Sequence, residues 1–225
     1  MKKIVEYIKH NVREKKKNYR IHTSIHLAVI HSLPENIDVE YVISEIENSI
    51  PRHFFNNIDA IYIAHIKEFD ERDINALHRD GAIYITNKQD DHEDMIDDIV
   101  HEIAHSVEHM YHDIVYDELS LEREFLGKRR RLFDLLKNSN IEAEKEDFMK
   151  SDFSFEFDRY LHQTLGYEKL EGYTIGLFSS PYSATSLSEY FATGFEEYFI
   201  GDRNYLRSIS PVLFKAIEVI ENLEE

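Results

Sequence analysis

Cysteine is absent from this 225-residue chain, and so is tryptophan. Without a thiol there is no disulfide staple and no thiolate metal site, so a transition-metal site here must be assembled from His, Asp or Glu. Glycine (7) and proline (4) are sparse. With no linker composition, no low-complexity tract and no repeat at solenoid periods, residues 1–225 read as a single domain. No apolar run approaches the length that crosses a bilayer. The N-terminus opens on the basic flank Lys2-Lys3, but Glu6 and Lys9 interrupt the apolar stretch, so no signal peptide is expected. The expected location is the cytoplasm, with release by a non-classical route left open.

Positive charge is also scarce. Twenty-six Lys and Arg against 44 Asp and Glu leave a formal net charge of −18. That balance repels phosphate backbones and argues against nucleic acid as a partner, and nothing points to a membrane. The charge is uneven, because residues 1–20 hold eight Lys or Arg against Glu6 and Glu14. Lys15-Lys16-Lys17 and Arg129-Arg130-Arg131 both read as solvated helix faces.

Residues 1–18 and 38–49 have helical character. Ile58–Ala64 and Ala82–Thr86 are β-branched and aromatic and read as strands, separated by a polar stretch that ends on the turn signal Asp80-Gly81. From about residue 91 the pattern is helical nearly to the end, with loops expected over 137–155 and 170–185. The fold class is therefore α+β, with a small sheet in the N-terminal half and a helical C-terminal half.

The segment that carries chemistry is Asp97-Asp98-Ile99-Val100-His101-Glu102-Ile103-Ala104-His105-Ser106-Val107-Glu108-His109. Ile96, Ile99, Val100, Ile103, Val107, Met110 and Ile114 recur at the helical period and form the expected core stripe. His101 and His105, four apart, stand one above the other on the opposite side. Two imidazoles at that spacing reach one ion at roughly 2 Å each. Glu102 cannot join them as a ligand in the same plane, but its carboxylate is placed to act as general base on a metal-activated water. In a chain with 13 histidines such a spacing can arise by chance, so its position inside a helix, behind a strand, matters as much as the letters.

A catalytic zinc needs a third protein ligand and an open position. His109 and His112 lie one and two turns beyond His105, too far along a straight helix to return to the same ion. Glu108, one turn after His105, reads as a surface acid or as a group orienting a ligand from outside the coordination shell. A later helix over Ser186–Phe199 offers Glu189, with Glu196 and Glu197 as competitors. Ser186-x-x-Glu189 is also a capping box, so on periodicity Glu189 is either a ligand or a cap.

His101-Glu102-x-x-His105, followed by Tyr182, six residues and then Glu189-Tyr-Phe-Ala-x-x-Phe195, resembles the catalytic domain of anthrax toxin lethal factor and the related Pro-Pro endopeptidases. The likeness covers 95–112 and 180–200, extends to strands 58–87 and the helix Pro211–Leu223, and is absent elsewhere. It implies a zincin-like fold with an active-site cleft between its halves, a Zn2+ cofactor with Glu189 as third ligand, and Tyr182 facing the substrate carbonyl. On that basis 1–35 is an N-terminal helical segment, 36–112 the sheet plus metal-binding helix, and 113–225 a helical lobe supplying the third ligand. The implied activity is zinc-dependent endopeptidase, acting on a peptide or protein bound in extended form. The strand Ala82–Thr86, just ahead of the metal-binding helix, is either a place for that peptide to pair by strand addition or an ordinary internal strand. Three departures stand out: Thr193 where the family usually has a second glutamate, a longer stretch between His105 and Tyr182 that suggests an insertion over the cleft, and no tryptophan to line a proline pocket. The alternative reading is a zincin-fold binding or regulatory protein without turnover.

Overall fold

The structure is a computed structural model that describes residues 17–72 and 74–223. Of the helical segment expected over 1–35, residues 1–16 lie outside the described residues, and the rest is corrected: Lys17–Ile21 and Ile25–Val29 pair as an antiparallel hairpin and no helix lies between 17 and 35. In chain order the elements are β1 (Lys17–Ile21), β2 (Ile25–Val29), α1 (Val39–Ser49), β3 (Ala60–Ala64), α2 (Lys67–Arg72), β4 (Ala76–Arg79), β5 (Ala82–Thr86) and α3 (His92–Met110). They continue with α4 (His112–Val115), α5 (Ser120–Asn138), α6 (Lys145–Phe148), α7 (Phe155–Arg159), α8 (Tyr167–Thr174), α9 (Leu187–Phe199), α10 (Arg203–Ile209) and α11 (Pro211–Glu221). The fold class is α+β, a five-stranded mixed sheet followed by a mostly helical C-terminal half. Among the described residues no helix is long and apolar enough to cross a membrane. The chain forms two compact units, one ending at Val107 and one beginning at Glu108.

In the first unit the sheet order is β1-β2-β3-β5-β4. The β2–β3 and β3–β5 pairs are parallel, and the two outer pairs are antiparallel hairpins. A parallel pair needs a crossover, and α1 supplies the one between β2 and β3. Asp38 starts α1 by accepting the amides of Glu40 and Tyr41. The β4–β5 hairpin turns on Asp80 and Gly81, with φ of 50° and 75°, as a two-residue turn with left-handed backbone requires. All five residues of β5 are buried. Ile30, Ala64, Ile66, Phe69, Ala82 and Tyr84 form a packed cluster over this part of the sheet. β5 has a neighbour on each side, so the reading in which it accepts an added peptide strand is corrected. The edge strand on that side is β4.

The second unit is built on α5, α9 and α11. The long segment after the metal helix contains α5, whose Leu121, Phe125, Leu132 and Leu136 are buried and which packs against α9 and α11. The expectation of a solvated Arg129-Arg130-Arg131 face fails for its first member. Arg130 and Arg131 are exposed, but Arg129 is only 1% exposed. Its guanidinium donates to the carbonyls of Lys150, Asp147 and Thr185 and lies over the Phe157 ring. Those bonds, with the Asp147 charge also acting on the guanidinium, let an arginine be buried.

α9 approaches α11 closely at Gly194, where a Cβ would overlap the Leu213 side chain. Leu213 is fully buried, so its side chain must shift within the core to make room. Gly194→Ala is therefore expected to destabilise the protein by about 1–3 kcal/mol through overpacking. A urea melt would measure this, and an unchanged midpoint would show that the two helices adjust freely.

Candidate metal centre

The helix α3 starts where Asp91 accepts the amide of Asp94 at 2.9 Å while the Asp94 carboxylate reaches back to the amide of Asp90. Met95, Ile96, Ile99, Val100, Ile103 and Val107 are buried along one stripe. The helix ends at Met110, so the stripe does not continue to Ile114, which lies in α4 and is 39% exposed. α3 runs unbroken through the Val107/Glu108 division, and its last turn belongs to the second unit.

His101 and His105 are half-buried, and their Nε2 atoms converge to 3.1 Å, with ring centroids 4.8 Å apart at 81°. Two imidazole nitrogens bound to one tetrahedral ion at about 2.0–2.1 Å would stand about 3.3 Å apart. The helix spacing alone brings the pair close to that separation. Among the described residues, His101, His105 and Glu189 each offer one ligand atom, and these atoms lie within 4.8 Å of one another. Two neutral nitrogens and a carboxylate oxygen suit a divalent cation, and the group could hold a metal ion. His109, His112, Glu196 and Glu197 are not part of it.

Glu189 enters this group from the first turn of α9. Ser186 Oγ accepts the Glu189 amide at 3.1 Å, so the capping bond expected from the sequence is present and uses the backbone. The side chain is engaged separately. Its carboxylate accepts the Tyr182 hydroxyl, and burial followed by the Glu189 charge raises the Tyr182 pKa well above that of a free phenol. Tyr182 lies in a short 3-10 turn beside Ser183, whose hydroxyl takes a bond from Thr193 at 2.7 Å. Thr193 thus ties α9 to the turn that carries Tyr182.

Glu102 is 8% exposed and is not one of the three grouped residues. Its Oε2 accepts the amide of His78 on β4 at 2.5 Å. Asp98, one turn before His101, accepts a 2.8 Å bond from Gln89, and burial pushes its carboxyl up to about 7.

Two further residues near Glu189 were not anticipated. Tyr167 stands edge-on to the Tyr182 ring at 6.3 Å and donates to Asp158 at 3.2 Å, and both groups feel the Glu189 charge. They flank the π-helical turn Tyr160–Leu165, which the sequence pattern does not announce. Comparison with protein-family models, with curated proteins and with solved structures finds no match to this chain.

Proposed function

We propose that this chain is a zinc-dependent endopeptidase of the zincin type, similar in its site to the lethal factor catalytic domain. The observation that carries the reading is the convergence of His101, His105 and Glu189 within 4.8 Å, with Glu102 next to the first histidine yet outside the ligand group. His101, His105 and Glu189 would hold the zinc ion, which would supply an activated water and an electrophile for the peptide carbonyl. The Glu102 carboxylate takes a proton from the attacking water and passes it to the leaving amine. The Tyr182 hydroxyl, which donates to the Glu189 carboxylate in the structure, would turn to the carbonyl oxygen as negative charge develops on it, an interaction worth a few kcal/mol by comparison with other oxyanion donors.

An extended peptide would pair with β4. The bond from the Thr86 amide to the Asn75 carbonyl makes those residues a hydrogen-bonded pair. Alternation then turns the amides and carbonyls of Leu77 and Arg79 toward β5, and those of Ala76 and His78 toward the outer edge. The Glu102 carboxylate meets the His78 amide on that edge, so the base sits beside the proposed substrate strand.

Metal analysis of the purified protein should find about one zinc per chain. Incubation with a diverse peptide library should give cleavage that a chelator stops and added zinc restores. Absence of stoichiometric zinc would end this reading, and bound zinc without any cleavage would turn the chain into a metal-holding binding protein.

A further inference from the structure

Glu108 is the one acidic residue of the last turn of α3, and the proposed chemistry does not use it. It lies one turn beyond His105 on the same helix. Its two carboxylate oxygens are engaged by different segments: Oε1 accepts the hydroxyl of Tyr116, just after α4, and Oε2 accepts the hydroxyl of Ser188 at 2.6 Å. Ser188 is in the first turn of α9, immediately before Glu189. Of the two sequence readings of Glu108, the plain surface acid is thus excluded.

We propose that Glu108 is a positioning residue for the metal centre, fixing the first turn of α9 through Ser188 and so setting the reach of the Glu189 carboxylate. The inference rests on the metal reading of His101, His105 and Glu189. Its physical basis is tolerance. A zinc–carboxylate bond is confined to about 2.0–2.2 Å, while a glutamate side chain carries three rotatable torsions, so the helix turn that bears it must be held. A hydroxyl bonded to an ionised carboxylate is among the stronger hydrogen bonds available for this. The anchor also belongs to the helix that carries the two histidines.

The test uses the full chain and reads zinc affinity by competition with a chromogenic chelator. Glu108→Ala and Ser188→Ala are each expected to weaken zinc binding about ten-fold. The double variant should be no weaker than the worse single one, because both remove the same link. Glu108→Gln, which keeps one acceptor oxygen, should fall between wild type and Glu108→Ala. The visible spectrum of the cobalt-loaded protein should change in Glu108→Ala, a readout that a loss of fold stability alone would not move. Unchanged zinc affinity in Glu108→Ala, or additive losses in the double variant, would overturn the positioning role. A wild-type protein that binds no zinc would overturn the metal reading and this inference with it, an outcome distinct from wild-type binding that Glu108→Ala retains in full.

Discussion

Glu102→Gln is expected to reduce peptide hydrolysis by about 10²- to 10⁴-fold, the span typical of losing a general base, while zinc content stays near one per chain. Glu102 is not among the three grouped ligands, so the amide should leave metal binding alone. Glutamine is a cleaner probe than alanine for a structural reason. The Glu102 carboxylate accepts the His78 amide, and the carbonyl oxygen of a glutamine can accept the same bond. Alanine would remove that acceptor at a nearly buried position, at a cost of about 1–3 kcal/mol that would mix a folding defect into the kinetic one. Turnover by Glu102→Gln at the wild-type rate would remove Glu102 from the mechanism. Loss of zinc together with activity would make Glu102 a structural support of the centre instead.

The second large effect falls on metal binding. Glu189→Ala removes one of three protein ligands and should weaken zinc by at least about a hundred-fold, more than the loss of a group outside the coordination shell. Its effect on the metal-free fold should be limited to about 1 kcal/mol, the cost of removing the acceptor of the Tyr182 hydroxyl. The bond that starts α9 runs from the Glu189 backbone amide to Ser186 Oγ, and the substitution leaves both atoms in place. This asymmetry separates the two readings the sequence left open. A residue that served mainly as a helix cap would lower the melting temperature of the metal-free protein and leave zinc affinity unchanged. Isothermal titration with zinc, paired with a thermal melt in chelator, gives both numbers from one preparation.

The corrections share a cause. Arg129 stands in a run of three arginines that looks like a solvated face, because local sequence cannot show that three backbone carbonyls and an aromatic ring wait for the first of them. β1 and β2 were missed because their connection uses His22 and Thr23 at positive φ in place of a glycine or asparagine signal. β4 is not legible because four residues of mixed polarity carry too little pattern, and without it the internal position of β5 cannot be read from the sequence. Tyr167 and Asp158 stand near Glu189 through a π-helical turn, which follows no simple period.

What the sequence determined by itself is local. The four-residue interval from His101 to His105 is about one turn of helix, so the convergence of their rings was settled once the apolar stripe made α3 a helix. The same holds for the Asp80-Gly81 turn and for the Ser186 cap, where the interacting groups are within four residues of each other. The tertiary structure decided everything that needs two distant segments: that the Glu189 carboxylate joins the histidines, that Glu102 faces the β4 edge, that β5 is internal, and that Glu108 holds Ser188. Short-range periodicity reports which side of an element is apolar. It carries no information about which polar group from a remote part of the chain will meet the other side.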